Sequence, residues 1–205
     1  MRKMHGMVLA AVVAIVVAGC GKPDGTGPTS ASTGDDATAA PAVAQDPATL
    51  EAPAAAVYEF LEAVRTGDDE KACRMLSTVA REKTASLNRK MTPSASDTAR
   101  FTVGKIDYVG EDGARVVSTW TDLDDHQQPS TDTAIWVLRR EQEGWRVVGL
   151  AAQVFPDRDP VVLNFEDPED MVRQQQWVRE EMRRRTEQEG LQAHDQGNQE
   201  KQVIR

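Results

Sequence analysis

The chain is short of most features that give a protein an obvious chemistry. In 205 residues it has two cysteines, three histidines and 5% aromatic residues. Two cysteines make no disulfide framework, and no Cys-x-x-Cys is present for metal or redox work. There is no Gly-x-x-x-x-Gly-Lys or Gly-x-Gly-x-x-Gly cradle for phosphates, and no Gly-x-Ser-x-Gly nucleophile elbow. Positive charge is in deficit: 24 Lys and Arg stand against 33 Asp and Glu, a formal charge of −9. That balance excludes nucleic acid as a partner, because neutralising a phosphate backbone takes a basic face. A long apolar run is missing too. Met7–Ala18 is twelve residues, about 18 Å as a helix and well short of the ~30 Å hydrocarbon core. Behind Arg2 and Lys3 it reads as a secretory signal over residues 1–19, not as a spanning segment. Leu, Ile, Val and Phe make up 40 of the 205 residues, but residues 53–163 hold 25 of them, with three Trp and two Tyr. That concentration suffices for one modest core.

Val17-Ala18-Gly19-Cys20 ends the apolar run and resembles the lipobox of bacterial lipoproteins. Small residues at 18 and 19 suit a peptidase that needs slender side chains beside the cut, and a thiol is nucleophilic enough to form a thioether with diacylglycerol. The resemblance implies cleavage between Gly19 and Cys20, lipidation of Cys20, and a membrane held through acyl chains, several of which anchor stably where one is marginal. The mature chain then has 186 residues, with 22 Lys and Arg against 33 acids and a formal charge of −11. Gly21 stands where an Asp favours inner-membrane retention in some Gram-negative bacteria, so the resemblance points to the periplasmic face of the outer membrane. With Cys20 lipidated, Cys73 has no partner. The helical pattern around it predicts a small buried apolar residue.

Residues 20–46 carry Gly, Pro, Ser, Thr and Ala and no aromatic residue, which predicts a disordered tether of about 28 Å root-mean-square reach. The folded domain is expected over 47–163. Val57, Phe60, Leu61 and Val64 recur at helical spacing, Pro53 suits the first turn, and Gly67 suits the cap. Asp68 or Asp69 starts a second helix with Ala72, Met75, Leu76 and Val79 inward. A third helix follows from about Thr78 to Leu87, and Pro93 closes the helical half.

Strands come next. Phe101 and Val103 alternate on odd positions, Ile106 and Tyr108 on even ones, so Gly104-Lys105 predicts a β-bulge. A turn at 110–113 leads to a strand over Arg115–Leu123, a polar loop, a strand over Thr131–Arg140 with Ala134, Trp136 and Leu138 on one face, and a strand over Trp145–Phe155. Val161-Val162-Leu163 either packs back or adds an edge strand. Helices followed by a four-stranded antiparallel meander define an α+β fold.

The stretches Phe60-Leu61-Glu62-Ala63-Val64-Arg65-Thr66-Gly67-Asp68 and Gly144-Trp145-Arg146-Val147-Val148 resemble the nuclear transport factor 2-like superfamily, which includes polyketide cyclase and ketosteroid isomerase-like members. The resemblance implies a cone-shaped α+β roll whose curved sheet wraps its helices, with Gly104 and Gly149 supplying the bend. It does not imply one function, because this roll serves isomerases, dehydratases and inert interaction domains. Ketosteroid isomerase-type members use a helix Tyr and strand Asp residues, which carries over to Tyr58 and Asp107 as candidate donor and base. Asp122, Asp124, Asp125 and Asp132 flank a polar loop and are expected to be solvated. His126 lies in that loop as an exposed tip, and no metal or cofactor is expected. Trp120 and Trp136 are expected in the core, with a small apolar ligand pocket as the alternative.

The last segment is set apart. Asp167, Pro168, Glu169 and Asp170 are a helix start signal, and the helix is expected over 164–190, ending at Gly190. Glu169–Arg173, Glu180–Arg184 and Glu181–Arg185 are spaced as i,i+4 pairs. Trp177, Val178 and Met182 form a thin apolar stripe, either docked on the domain or open to an envelope protein partner. Residues 191–205 are expected to be disordered. No convergent acid, base and nucleophile set appears, so the leading expectation is a non-enzymatic binding or scaffolding module. The alternatives are a pocket isomerase or hydro-lyase and a small-ligand carrier.

Overall fold

The structure, a computed structural model, describes residues 45–87, 95–124 and 126–203, with side chains described as far as residue 188. The signal peptide, Gly19 and Cys20, the 20–44 part of the tether, Pro93, Asp125 and the side chains of the tail lie outside the described residues. A 3-10 turn at Pro47–Thr49 leads into α1 (Ala52–Thr66), α2 (Asp69–Met75) and α3 (Thr78–Ser86). The strands β1 (Arg100–Val109), β2 (Gly113–Leu123), β3 (Pro129–Glu141), β4 (Gly144–Ala152) and β5 (Val161–Asn164) follow, and α4 (Pro168–Val203) is the last element of the described residues.

The helices form where their caps allow. The helical spacing of α1 buries Val57, Phe60, Leu61 and Val64. Gly67 ends it at φ 70°, a backbone angle glycine adopts without steric cost, with its N–H turned back to the Ala63 and Val64 carbonyls. Asp68 caps α2 by accepting from the Lys71 N–H at 2.9 Å. Ser77 caps α3 by accepting from the Ala80 N–H at 3.2 Å. That second cap restarts the helical phase, which corrects one expectation: Val79 is 38% exposed and Ala80 takes the core position.

The sheet is a five-stranded meander in the order β1-β2-β3-β4-β5, every neighbouring pair antiparallel. The fifth strand is the Val161–Asn164 edge, one more than the four-stranded expectation. β4 stops at Ala152, short of Phe155, because the chain turns there to bring β5 back alongside, although Val154 and Phe155 stay buried. The register shifts between Val103 and Ile106, where the parity change predicts a bulge, and again between Val137 and Leu138. Gly149 sits at the second irregularity. A Cβ there would run into the Leu163 carbonyl oxygen, so the close approach of β5 needs glycine.

One face of the curved sheet packs on α1. Val116 and Trp120 of β2, Trp136 and Leu138 of β3, and Val147 and Leu150 of β4 join Phe60 and Leu61 in one core. Burying each large apolar side chain contributes about 1.5–3 kcal/mol. Leu76 lies parallel to β4 opposite Val147, and the Ser77 N–H donates to the Val147 carbonyl at 2.9 Å. Contacts with the domain include Gln45, ahead of residue 47: its amide donates to the Val103 carbonyl at 2.7 Å and accepts from the Val103 N–H at 2.6 Å. This side chain occupies both backbone groups of Val103 on the open edge of β1.

α4 does not stop at Gly190 but runs on to Val203. A glycine inside a helix costs about 1 kcal/mol relative to alanine, too little to break a run of good helix formers. Its N-terminal half docks on the domain through Met171, Gln175, Val178 and Glu181, all under 9% exposed.

Candidate functional site

Aromatic side chains pack inside the roll. Trp120 is 4% exposed and Trp136 1%, so both sit in the core. The Trp136 indole N–H donates to Ser118 Oγ at 2.8 Å, which gives that buried donor a partner. Phe60 packs edge-on against Trp136 with centroids 5.2 Å apart, and Phe101 stacks on Trp120 at 5.8 Å. Tyr58 closes the row, its ring edge-on to Phe101 at 5.1 Å.

Tyr58 and Asp107 are not brought together. Ile106 packs on the core, so Asp107, next along β1, faces the outer side of the sheet. There it stands 3.8 Å from Arg115, with 63% of its side chain exposed. The structure instead buries an acid expected to be solvated. Asp122 is 9% exposed and accepts from Thr98 Oγ1 at 2.5 Å and from the Leu123 N–H at 2.8 Å. Burial works to raise its pKa, but the bonds from Thr98, Ser96 and the Leu123 N–H outweigh it and hold the carboxyl below its ordinary value. A carboxylate held ionised in this way anchors the 96–99 segment and is poorly placed to exchange protons near neutrality. Its signal was in the alternation: Val116, Ser118, Trp120 and Asp122 share one parity, and Asp132 stands opposite Trp120 across the ladder.

The remaining candidates have local roles. His126 is exposed at the β2–β3 loop, where its backbone N–H and that of Gln128 both donate to Asp124 Oδ1. These bonds hold the Asp124 carboxyl below its ordinary value. Among the described residues no group of His, Cys, Asp and Glu side chains is placed to hold a metal ion. Cys73 is a free thiol and only half-buried, not fully buried as its pattern predicts. In this short helix the core positions fall to Ala72 and Leu76.

The stripe on α4 is largely covered by its own domain. Val178 is 4% exposed and Met182 packs against the core. Trp177 stays 40% exposed with its ring edge-on to Phe155 at 5.7 Å. Arg185 locks this corner: its guanidinium lies 4.4 Å over the Phe155 ring and bonds both oxygens of Asp157, at 2.7 and 2.9 Å, and Glu181 at 2.9 Å. These acids raise the Arg185 pKa, and Arg184 and Arg185 together lower that of Glu181. Of the expected i,i+4 pairs, Glu181–Arg185 forms, while Arg173 turns to Asp170 and Arg184 to Glu181.

The outer side of the sheet carries part of the apolar surface that the domain leaves uncovered. Val117, Ile135, Ala151 and Val162 stand in one cross-strand row over β2 to β5. Ile135 is 40% exposed and Val162 55%. Threonines continue the face, Thr102 bonded to Thr119 at 2.6 Å and Thr121 to Thr131 at 2.7 Å. A shallow groove of about 350 Å³ opens at one end, over Val109, Val137 and Val148 between Arg115 and Arg139.

No family model and no curated protein matches this chain. Six solved chains do match. The association domain of C. elegans CaMKII is 19% identical, with a TM-score of 0.33 over 46% of this chain and 86% of that one. A calcium/calmodulin dependent protein kinase II association domain assigned in Xanthomonas campestris is also 19% identical, with a TM-score of 0.33 over 56% of this chain and 95% of that one. Likeness at this level carries no argument about what this chain does.

Proposed function

We propose that the chain is a non-enzymatic binding or scaffolding module of the cell envelope, a nuclear transport factor 2-like roll held at the membrane by lipid on Cys20. The observation that carries this reading is the distribution of apolar surface. Trp120, Trp136, Phe60 and Phe101 occupy the interior where a pocket enzyme or carrier of this architecture holds its ligand, and exposed apolar residues stand outside it, Ile135 and Val162 on the sheet and Trp177 on α4 among them. The separation of Tyr58 from Asp107 favours the same reading, and Tyr58→Phe and Asp107→Asn are expected to leave any phenotype intact. The lipobox at residues 17–20 supports the anchor, and Gly21 supports the outer membrane.

Native mass spectrometry of the mature protein, purified gently from its host, tests the binding reading. A bare chain mass, or one raised by a protein, supports it; a retained small molecule overturns it in favour of the carrier. Metabolic labelling with palmitate tests the anchor: Cys20→Ser is expected to abolish the label, and an unlabelled parent chain would refute lipidation.

A further inference from the structure

We infer that Tyr108, Trp145 and Glu51 form a recognition site for a quaternary ammonium group of the choline type; this rests on the binding-module reading and names one group the module takes. The three side chains come from distant parts of the chain: Glu51 stands just ahead of α1, Tyr108 near the end of β1 and Trp145 at the start of β4. The two rings have centroids 6.3 Å apart and planes tilted by 59°, so they enclose an open angle and do not stack. Trp145 packs partly against the core, which fixes one wall. Tyr108 is 52% exposed, yet its hydroxyl donates to Glu51 Oε2 at 2.9 Å, which fixes the other. Glu51 is placed in turn by α1, its carbonyl accepting from the Ala55 N–H at 2.9 Å. Two aromatic walls and a carboxylate at the rim are the parts that hold a cation on ring faces. A quaternary ammonium suits them better than a lysine, because it has no N–H bonds to water to give up.

The chain uses the same physics at its other end. There Arg185 lies 4.4 Å over Phe155, beside Trp177, with Asp157 and Glu181 as its acids. That cation is the chain's own. Among the described residues no such pairing involves Tyr108 or Trp145. The surroundings favour a cation from outside. The β1–β2 and β3–β4 turns, residues 110–113 and 141–144, close this end of the sheet with Glu111, Asp112, Glu141 and Glu143 and no lysine or arginine. Arg140 and Arg146 flank the second turn, and Arg146 is tied to Glu143 at 3.2 Å.

Tetramethylammonium chloride is titrated into residues 20–205 with Cys20→Ser, against sodium chloride at matched ionic strength, and the tryptophan indole N–H signals are followed by NMR. The expected result is a saturable shift of the Trp145 signal, assigned with Trp145→Phe, at a dissociation constant on the order of 1 mM. The signals of the buried Trp120 and Trp136 should stay still. Tyr108→Leu is expected to weaken binding about fivefold with an unchanged thermal melt, and Tyr108→Phe, which keeps a ring face, to retain it. Glu51→Gln leaves the phenol an acceptor and removes the charge, so it should weaken binding about threefold, less at high salt. It keeps the test decisive if Tyr108→Leu disturbs β1. Choline should bind as tetramethylammonium does, and its neutral carbon isostere should not. Flotation with phosphatidylcholine but not phosphatidylglycerol vesicles would assign the group to a lipid headgroup; choline binding without flotation would assign it to a free solute. The inference is overturned by a Trp145 shift no larger than sodium chloride gives, by equal binding of the isostere, or by binding that Tyr108→Leu and Glu51→Gln both leave unchanged. A ligand held this weakly is lost before native mass spectrometry, so that measurement and this one can fail separately.

Discussion

Glu166 ties together three parts of the chain that are distant in sequence, and its removal tests whether that junction holds the roll shut. Ser77, fully buried ahead of α3, donates to Glu166 Oε1 at 2.7 Å. Arg139 of β3 grips the same carboxylate at both oxygens, at 2.7 and 3.0 Å. Glu166 itself lies between β5 and α4, with 16% of its side chain exposed. In Glu166→Gln the shape and the Ser77 bond survive, while the paired charge is lost. A hydrogen bond to a charged group contributes about 1.5–3 kcal/mol, and the partly exposed guanidinium discounts that, so about 2 kcal/mol of stability should go. Glu166→Ala also strands the buried Ser77 hydroxyl and should cost about 3–4 kcal/mol. Urea unfolding of residues 20–205 with Cys20→Ser reads both, the Gln variant as a midpoint lower by about 1 M. The effect has a pH signature. Burial works to raise the Glu166 pKa, but Arg139 and Ser77 bring it below the usual glutamate value of 4.5. The unfolded chain therefore binds the proton first. The stabilisation is complete above pH 4.5 and fades as pH falls through the lower folded value. The parent and the Gln variant should converge in that window. A loss under about 0.5 kcal/mol at pH 7, or a gap that persists unchanged at the acid end, would refute the reasoning.

Gly149→Ala should cost about 2–3 kcal/mol by pressing a methyl into the Leu163 carbonyl, seen as faster hydrogen exchange along β5 and in the residues of α4 docked beside it; unchanged β5 protection would count against it. Trp136→Phe keeps the ring but strands Ser118 Oγ, and a loss of about 1–2 kcal/mol in thermal unfolding is expected. Gln45→Ala should cost the domain only about 1 kcal/mol, yet expose the Val103 amide to rapid exchange while the other β1 amides keep their protection.

Much of the fold was legible because it rests on local rules. The apolar spacing of α1, the glycine that ends it, the parity switch at the β1 bulge and the alternation through Trp136 each depend on neighbours a few residues away. What was missed depends on distant segments. Whether Val161–Asn164 pairs as a strand is decided by the glycine at 149 and the turn through Pro156. Asp122 is buried because Thr98, twenty-four residues upstream, folds over it. Gln175 and Glu181 sit inside the docked stripe of α4 although their side chains are polar; Glu181 is admitted by two arginines on its own helix. The outer-face row was invisible for the same reason: Val117, Ile135, Ala151 and Val162 are spread over 46 residues and meet only through strand register.

The grip of Gln45 on β1 also bears on mechanics. A pull on the chain from the N-terminal side of Gln45 meets these two hydrogen bonds before it meets the first helix. They load one residue of an edge, not a whole ladder, so they give way while the sheet stays intact. Releasing residues 45–50 then pays out about 20 Å of extended chain at up to 3.6 Å per residue, and the 3-10 turn at Pro47–Thr49 unwinds with it. The length of chain ahead of α1 is thus adjustable: it extends under load and shortens when Gln45 finds Val103 again, with the roll acting as the spool.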